Sequence, residues 1–146
     1  MDVMTQRDDK TGLVILNEET CWQLMATHEV GRLAVSIANL PDIFPVNYRV
    51  DGRTIVIQTA PGTKLAAGVL GRGIAFEVDQ LDDERRLGWS VVAQGPAEEL
   101  TTTSEKMTAD ELGIDSWSAH PKFRFMRITP TRITGRSTDG ASPPTW

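Results

Sequence analysis

The chain has 146 residues, a formal net charge of −5 and a pI near 5.0, enough for one domain that closes a core without metal or disulfide support. Its single cysteine, Cys21, excludes an intrachain disulfide framework, and the acidic balance argues against a general nucleic-acid binder, which would carry a basic face. No apolar run approaches the ~20 residues of a membrane helix, and the opening MDVMTQRDDK is too polar for a secretory signal, so a cytoplasmic protein with no nucleic-acid or membrane partner is expected.

The first ten or so residues read as a flexible tail (1–11), followed by one domain over 12–136. LVIL (13–16) is short and apolar, either an edge strand or a segment lying across a barrel end. Asn17 can cap a helix whose first turn carries Glu18 and Glu19, where the dipole favours acids. Cys21, Leu24, Met25 and His28 then share one helical face, and Gly31 is the expected stop. Beyond it the period changes to two. Leu33, Val35 and Ile37 alternate with small residues, Phe44, Val46, Tyr48 and Val50 alternate with Pro45, Asn47 and Arg49, and Ile55 and Ile57 continue towards Gln58 and Thr59. With turns at Asn39–Asp42 and Asp51-Gly52, this predicts a three-stranded antiparallel meander.

TKLAAGVL (63–70) suits two helical turns, and GIAFEVDQL and GWSVVAQGPAEEL alternate again around the charged loop 82–86. Gly95-Pro96 marks a bulge or bend in the longer strand. SEKMTADEL (104–112) predicts a helix capped by Ser104, 113–122 a loop, and FRFMRITPTRITGR (123–136) one or two final strands. The tail 137–146, rich in Ser, Gly and Pro, is expected to be flexible. The sum is a mainly β chain of about six strands with inserted short helices and no regular βαβ alternation, which points to a small antiparallel barrel.

Common nucleotide, esterase and zinc signatures are absent. His28 lies on the apolar helical face and reads as structural, His120 is isolated, Cys21 reads as a small core residue, and no metal site is expected. Between residues 49 and 72, Arg49, Arg53, Lys64 and Arg72 face a single acid, Asp51, which suits either a small anion or a solvated strand surface. One stretch carries more. Gly62, Thr63 and Lys64 open the 63–70 helix, where free amides, a hydroxyl and a lysine suit a phosphate dianion, and Gln58 and Thr59 end the preceding strand nearby. An ordinary strand-to-helix connection with a surface lysine is the alternative.

The order of GRLAVSI, PDIFPVNYRVDGRTIVIQT, GTKLAAGV, GIAFEVD and GWSVVAQGPAEEL over residues 13–136 resembles the pyridoxamine 5′-phosphate oxidase-like split-barrel flavoproteins, most of all their short actinobacterial-type members. The resemblance implies a six-stranded antiparallel split β-barrel and an FMN cofactor. It implies that Thr63 and Lys64 hold the phosphate beside Gln58 and Thr59, and that the isoalloxazine ring lies along Pro45, Val46, Asn47 and Tyr48, covered by the second subunit of a homodimer. Asn47 can both donate to and accept from the pyrimidine edge of a flavin, and Pro45 leaves a neighbouring position without a donor. Trp89 and Ser90 are candidates for an aromatic wall and a hydroxyl across the dimer interface, with a core or interface tryptophan as the other reading of Trp89. The oxidase itself would add a C-terminal Arg-x-His segment. This chain has RITPTRITGR there, with no histidine, which argues against vitamin B6 oxidation. The expected function is therefore a flavin-dependent oxidoreductase acting on a small conjugated substrate, with no protein group singled out as catalytic because the flavin performs the hydride transfer. A deazaflavin-dependent reductase and a non-catalytic flavin-binding or storage module are the alternatives.

Overall fold

The computed structural model describes residues 6–60, 73–115 and 124–138. Among these, nine antiparallel strands and two helices occur in the order β1 (Val14–Ile15), α1 (Glu18–Met25), β2 (Val30–Ile37), β3 (Leu40–Asp51), β4 (Thr54–Thr59), β5 (Ile74–Asp82), β6 (Leu87–Gly95), β7 (Ala97–Glu99), α2 (Thr103–Glu111), β8 (Arg124–Ile128) and β9 (Arg132–Ser137). The helix expected over 63–70 and most of the 113–122 loop lie outside the described residues. No helix among the described residues is long and apolar enough to cross a membrane.

The sheet runs β1-β9-β6-β5-β2-β3-β4-β8-β7. Its last strand, β7, is the direct continuation of β6 through Gly95-Pro96, and β8 continues into β9 through 129–131. With each of these pairs taken as one bent strand, six strands follow one another around a split barrel and β1 is a short edge strand on β9. The crossover is tight: a Cβ at Gly95 would lie 2.5 Å from the Thr129 carbonyl oxygen and 2.8 Å from the Pro130 Cα, so only glycine fits where the two bent strands cross.

The β2–β3–β4 meander forms as the period predicts, but its turns shift. Ile37 pairs with Leu40, so the first turn is Ala38-Asn39, both in the left-handed region at φ +51° and +63°, as a two-residue type I′ hairpin requires. Asp51 pairs with Thr54, which makes the second turn Gly52-Arg53 with Gly52 at φ +61°. Helix α1 begins as expected, the Asn17 side chain accepting from the Thr20 amide at 2.8 Å. It ends at Met25, however, and Gly31 sits inside β2. In α2 the cap is Thr102 rather than Ser104: its side chain accepts from the Glu105 amide, and Glu105 in turn accepts from the Thr101 amide. Residues 8–11, expected within a flexible tail, form with 12 and 13 a hydrogen-bonded turn on the Asp8 side chain, tied to β9 by the Arg136–Asp8 ion pair.

The barrel interior holds Leu33, Val46, Tyr48, Ile55, Ile57, Phe76, Val78, Val91 and Met126, and α1 adds Cys21, Leu24 and Met25. A second apolar patch lies outside the barrel, where α2 covers Val56 and Phe125 with Ala109 and Leu112. Tyr48 and Phe76 meet edge to face at 4.8 Å, and the Tyr48 hydroxyl donates to the Met25 carbonyl at the end of α1. Tyr48→Phe should therefore cost about 1–2 kcal/mol in urea unfolding, because it leaves that buried carbonyl without its donor. Burial pushes the Tyr48 hydroxyl pKa upward and that of the Cys21 thiol up to about 11. Both folded pKa values lie above the unfolded ones, so this stability is intact below about pH 8 and is lost as pH rises through the alkaline range. The loss should be shallower in Tyr48→Phe.

Candidate functional site

Residues paired across an antiparallel ladder share a face, so the register sorts the candidate side chains. On β3, Val46 and Tyr48 belong to the interior, while Pro45, Asn47 and Arg49 face outward beside Val30 and Arg32 of β2. On β4, Ile55, Ile57 and Thr59 follow the interior parity, while Val56 and Gln58 face outward towards Arg127 and Phe125 of β8. Helix α2 covers the outer face of β4 and β8 but leaves Pro45 exposed.

The ladder between β3 and β4 ends at the Tyr48–Ile57 pair, whereas β4 stays paired with β8 through Gln58 and Thr59. Asn47 and Gln58 are therefore the first residues of the two strands beyond their shared ladder. At this end of β4, Gln58 Oε1 on the outer face and Thr59 Oγ1 on the interior face are buried without a hydrogen bond among the described residues, Thr59 being 3% exposed. Buried polar groups are almost always paired, and these two atoms are exceptions among the described residues. Gln58 Nε2 reaches the Ile114 carbonyl at 3.5 Å, the limit of a hydrogen bond.

Arg49 lies beside Asn47 on the outer face of β3. Its guanidinium pairs with Glu29 at 2.9 Å and donates to the Gly113 carbonyl at 3.1 Å. Arg49 thus pins the chain leaving α2 against β3 beside Asn47, a role that no motif in the sequence announces. Further along the outer face Arg32 holds Glu77 at 2.7 Å and Asp79 at 3.0 Å. Burial, followed by the neighbouring Asp79 carboxylate, raises the Glu77 pKa.

The other candidates separate. Arg53 does not share a site with Arg49: it bridges Glu18 and Glu19 of α1 at 3.0 and 3.1 Å. For these two arginines the local positive charge is thus spent in ion pairs. Trp89 and Ser90 point to opposite faces. Trp89 is 3% exposed in the core and meets His28 edge to face at 5.4 Å, the core reading of that residue. Ser90 lies outward, opposite Asp79 and Arg136. Within one chain Ser90 is three strand spacings, roughly 14 Å, from β3. Of the candidates, Pro45, Asn47 and Gln58 lie on the outer face, while Val46, Tyr48 and Thr59 follow the interior parity and offer that face only backbone. Gly62, Thr63 and Lys64 lie outside the described residues, between Ala60 and Gly73.

Known proteins share this architecture. The structure of an FAD-binding protein from Mycobacterium smegmatis superposes with a TM-score of 0.74 at 34% identity, over 84% of this chain and 98% of that one. A FAD-binding protein from Mesorhizobium loti, at 23% identity, shares the fold with a TM-score of 0.75 over 87% of this chain and 99% of its own. An uncharacterized protein of Mycobacterium tuberculosis is 33% identical over 131 residues, 84% of each chain. The family model for pyridoxamine 5′-phosphate oxidase matches residues 17–137, from the α1 cap to the end of β9. With the split-barrel strand order, that span makes the chain a member of the pyridoxamine 5′-phosphate oxidase family.

Proposed function

We propose that this chain is a cytoplasmic, homodimeric flavin-binding protein, and that it passes hydride equivalents between FMN and a small conjugated substrate. The observation that carries the reading is the pair of buried, unpartnered polar atoms just beyond the end of the β3–β4 ladder, Gln58 Oε1 and Thr59 Oγ1. A flavin fits this donor set, since its ring edge and ribityl chain offer several hydroxyl, N–H and carbonyl groups within one ligand. Bound there, the flavin supplies the hydride chemistry. The chain's part is to bind and orient it: Asn47 at the ring edge, Gln58 and Thr59 on the polar chain, and Gly62, Thr63 and Lys64 on the phosphate. The exposed apolar side chains of the β2–β3 hairpin, Leu40 at 71% and Ile43 at 70%, support a second copy as the remaining wall. FAD is a second reading, favoured by the Mycobacterium smegmatis relative at 34% identity. Vitamin B6 oxidation is not proposed, for want of the Arg-x-His segment.

Titrating the purified protein with FMN, FAD, riboflavin and a deazaflavin tests the reading. FMN is expected to bind at least tenfold more tightly than riboflavin, and Lys64→Ala should remove most of that difference, since a charge-assisted phosphate contact contributes ~1.5–3 kcal/mol. Equal affinity for FMN and riboflavin would take the phosphate turn out of the site, and failure to bind any flavin would end the proposal. Sedimentation should show a dimer throughout the micromolar range.

A further inference from the structure

A trough of about 680 Å³ lies on the outer face of the sheet, where β3, β2, β5 and β6 run side by side. Ala34 pairs with Ala75 across the β2–β5 ladder, and Ser36 and Gly73 follow on the same face of each chain segment, so four small residues make the floor. Pro41 stands on the β3 side and Pro96 on the β6 side. No charged side chain lines the trough among the described residues, and towards Pro45 it ends at the Arg32–Glu77 ion pair. A knob of matching chemistry stands beside this hollow. Ile43 pairs with Ala34 across the β2–β3 ladder, so it projects from the same face, and it is 70% exposed. It lies one strand spacing from Ala34 and two from Ala75, roughly 5 and 10 Å, and so borders the hollow of its own chain without filling it.

We propose that a second copy of this chain seats on this face, with the Ile43 of each copy entering the trough of the other. A two-fold axis running along the strands, between the knob and the hollow, makes both contacts at once, the self-complementary arrangement of an isologous dimer. Each contact takes an exposed isoleucine out of water into a hollow that holds no charge to be desolvated. The same axis lays the β2 and β5 of the partner over Pro45 and Asn47, which pair with Arg32 and Val30 and so project from this face as well. The second copy therefore completes the candidate flavin site. The seat rests on the homodimeric reading proposed for that site and gives the dimer its interface.

Sedimentation of the full chain without flavin tests the seat, so that a failure of flavin binding leaves its result untouched. The parent should be a dimer in the micromolar range. Ile43→Asp brings a carboxylate into an uncharged hollow twice per dimer and should raise the dimer dissociation constant about a hundredfold or more. Met107→Asp, at an exposed apolar position of α2, should leave that constant within about threefold of the parent. Filling the hollow by Ala75→Leu should weaken the dimer about tenfold or more. Ile43→Ala added to Ala75→Leu should then restore much of the loss, because the new leucine takes up the space that the isoleucine leaves. Ile43 is exposed in the single chain, so its replacement spares the core and the Ile43→Asp result stands even if Ala75→Leu does not fold. A dimer that survives Ile43→Asp lies on another face and overturns the seat while the homodimer stands. Equal weakening by Ile43→Asp and Met107→Asp also overturns the seat. A monomeric parent overturns both the seat and the homodimer and leaves the trough to another occupant.

Discussion

Gly31→Ala should destabilise the protein by about 3 kcal/mol or more, measured by urea unfolding at matched protein concentration. The added Cβ would stand 2.3 Å from the Phe76 Cζ, 2.8 Å from its Cε2 and 3.0 Å from the Glu77 carbonyl oxygen. Relief requires the ring to move, and it has nowhere to go. Phe76 is fully buried and lies edge to face on Tyr48, whose hydroxyl is fastened to the end of α1. Overpacking in cores costs ~1–3 kcal/mol even where neighbours can adjust, and here the β2–β5 ladder fixes both backbones at Leu33–Phe76 and Arg32–Glu77. The cause can be isolated. Phe76→Leu costs stability alone, yet combined with Gly31→Ala it should recover ~1–2 kcal/mol of the glycine penalty, a coupling expected of residues in direct contact. A Gly31→Ala variant within about 0.5 kcal/mol of the parent, the scatter of ordinary surface changes, would show that the ring yields and that Gly31 is not packed as described.

Gly31 also shows where sequence reasoning stopped. Glycine ends helices and permits close approach, and one sequence offers no means of telling these roles apart, so Gly31 reads as the stop of α1 although the helix ends at Met25. The meander was legible because period-two alternation records one buried and one open face, and Asn17 because a capping side chain is a local device. The second turn lies one residue beyond Asp51-Gly52: glycine takes the first central position of the hairpin, which makes it Gly52-Arg53. Thr102 was legible in principle, since Glu105 follows it at the capping-box spacing. Two features were not legible. The opposite directions of Trp89 and Ser90 depend on register across β5, β6 and β9, and the Arg49 contact with Gly113 joins residues far apart in the chain.

Replacing Gln58 and Thr59 together, as Gln58→Leu with Thr59→Val, should move stability and flavin affinity in opposite directions. Without ligand, Gln58 Oε1 and Thr59 Oγ1 are buried and unpartnered, and each such group costs ~1–3 kcal/mol that an apolar side chain of similar shape avoids. The ligand-free double variant should therefore be more stable by about 1–2 kcal/mol, with its unfolding midpoint raised by roughly 2–6 °C. The same two atoms are proposed to meet the flavin's polar chain. Losing two hydrogen bonds, each contributing ~0.5–1.5 kcal/mol net, weakens FMN binding by roughly five- to a hundredfold. Riboflavin should lose affinity to the same extent, since these contacts precede the phosphate, whereas the loss on Lys64→Ala falls chiefly on FMN. A general disturbance of the barrel would lower stability and affinity together. A variant that gains stability and keeps its flavin affinity would separate the two atoms from the cofactor, and one that loses both would show that Gln58 and Thr59 are structural.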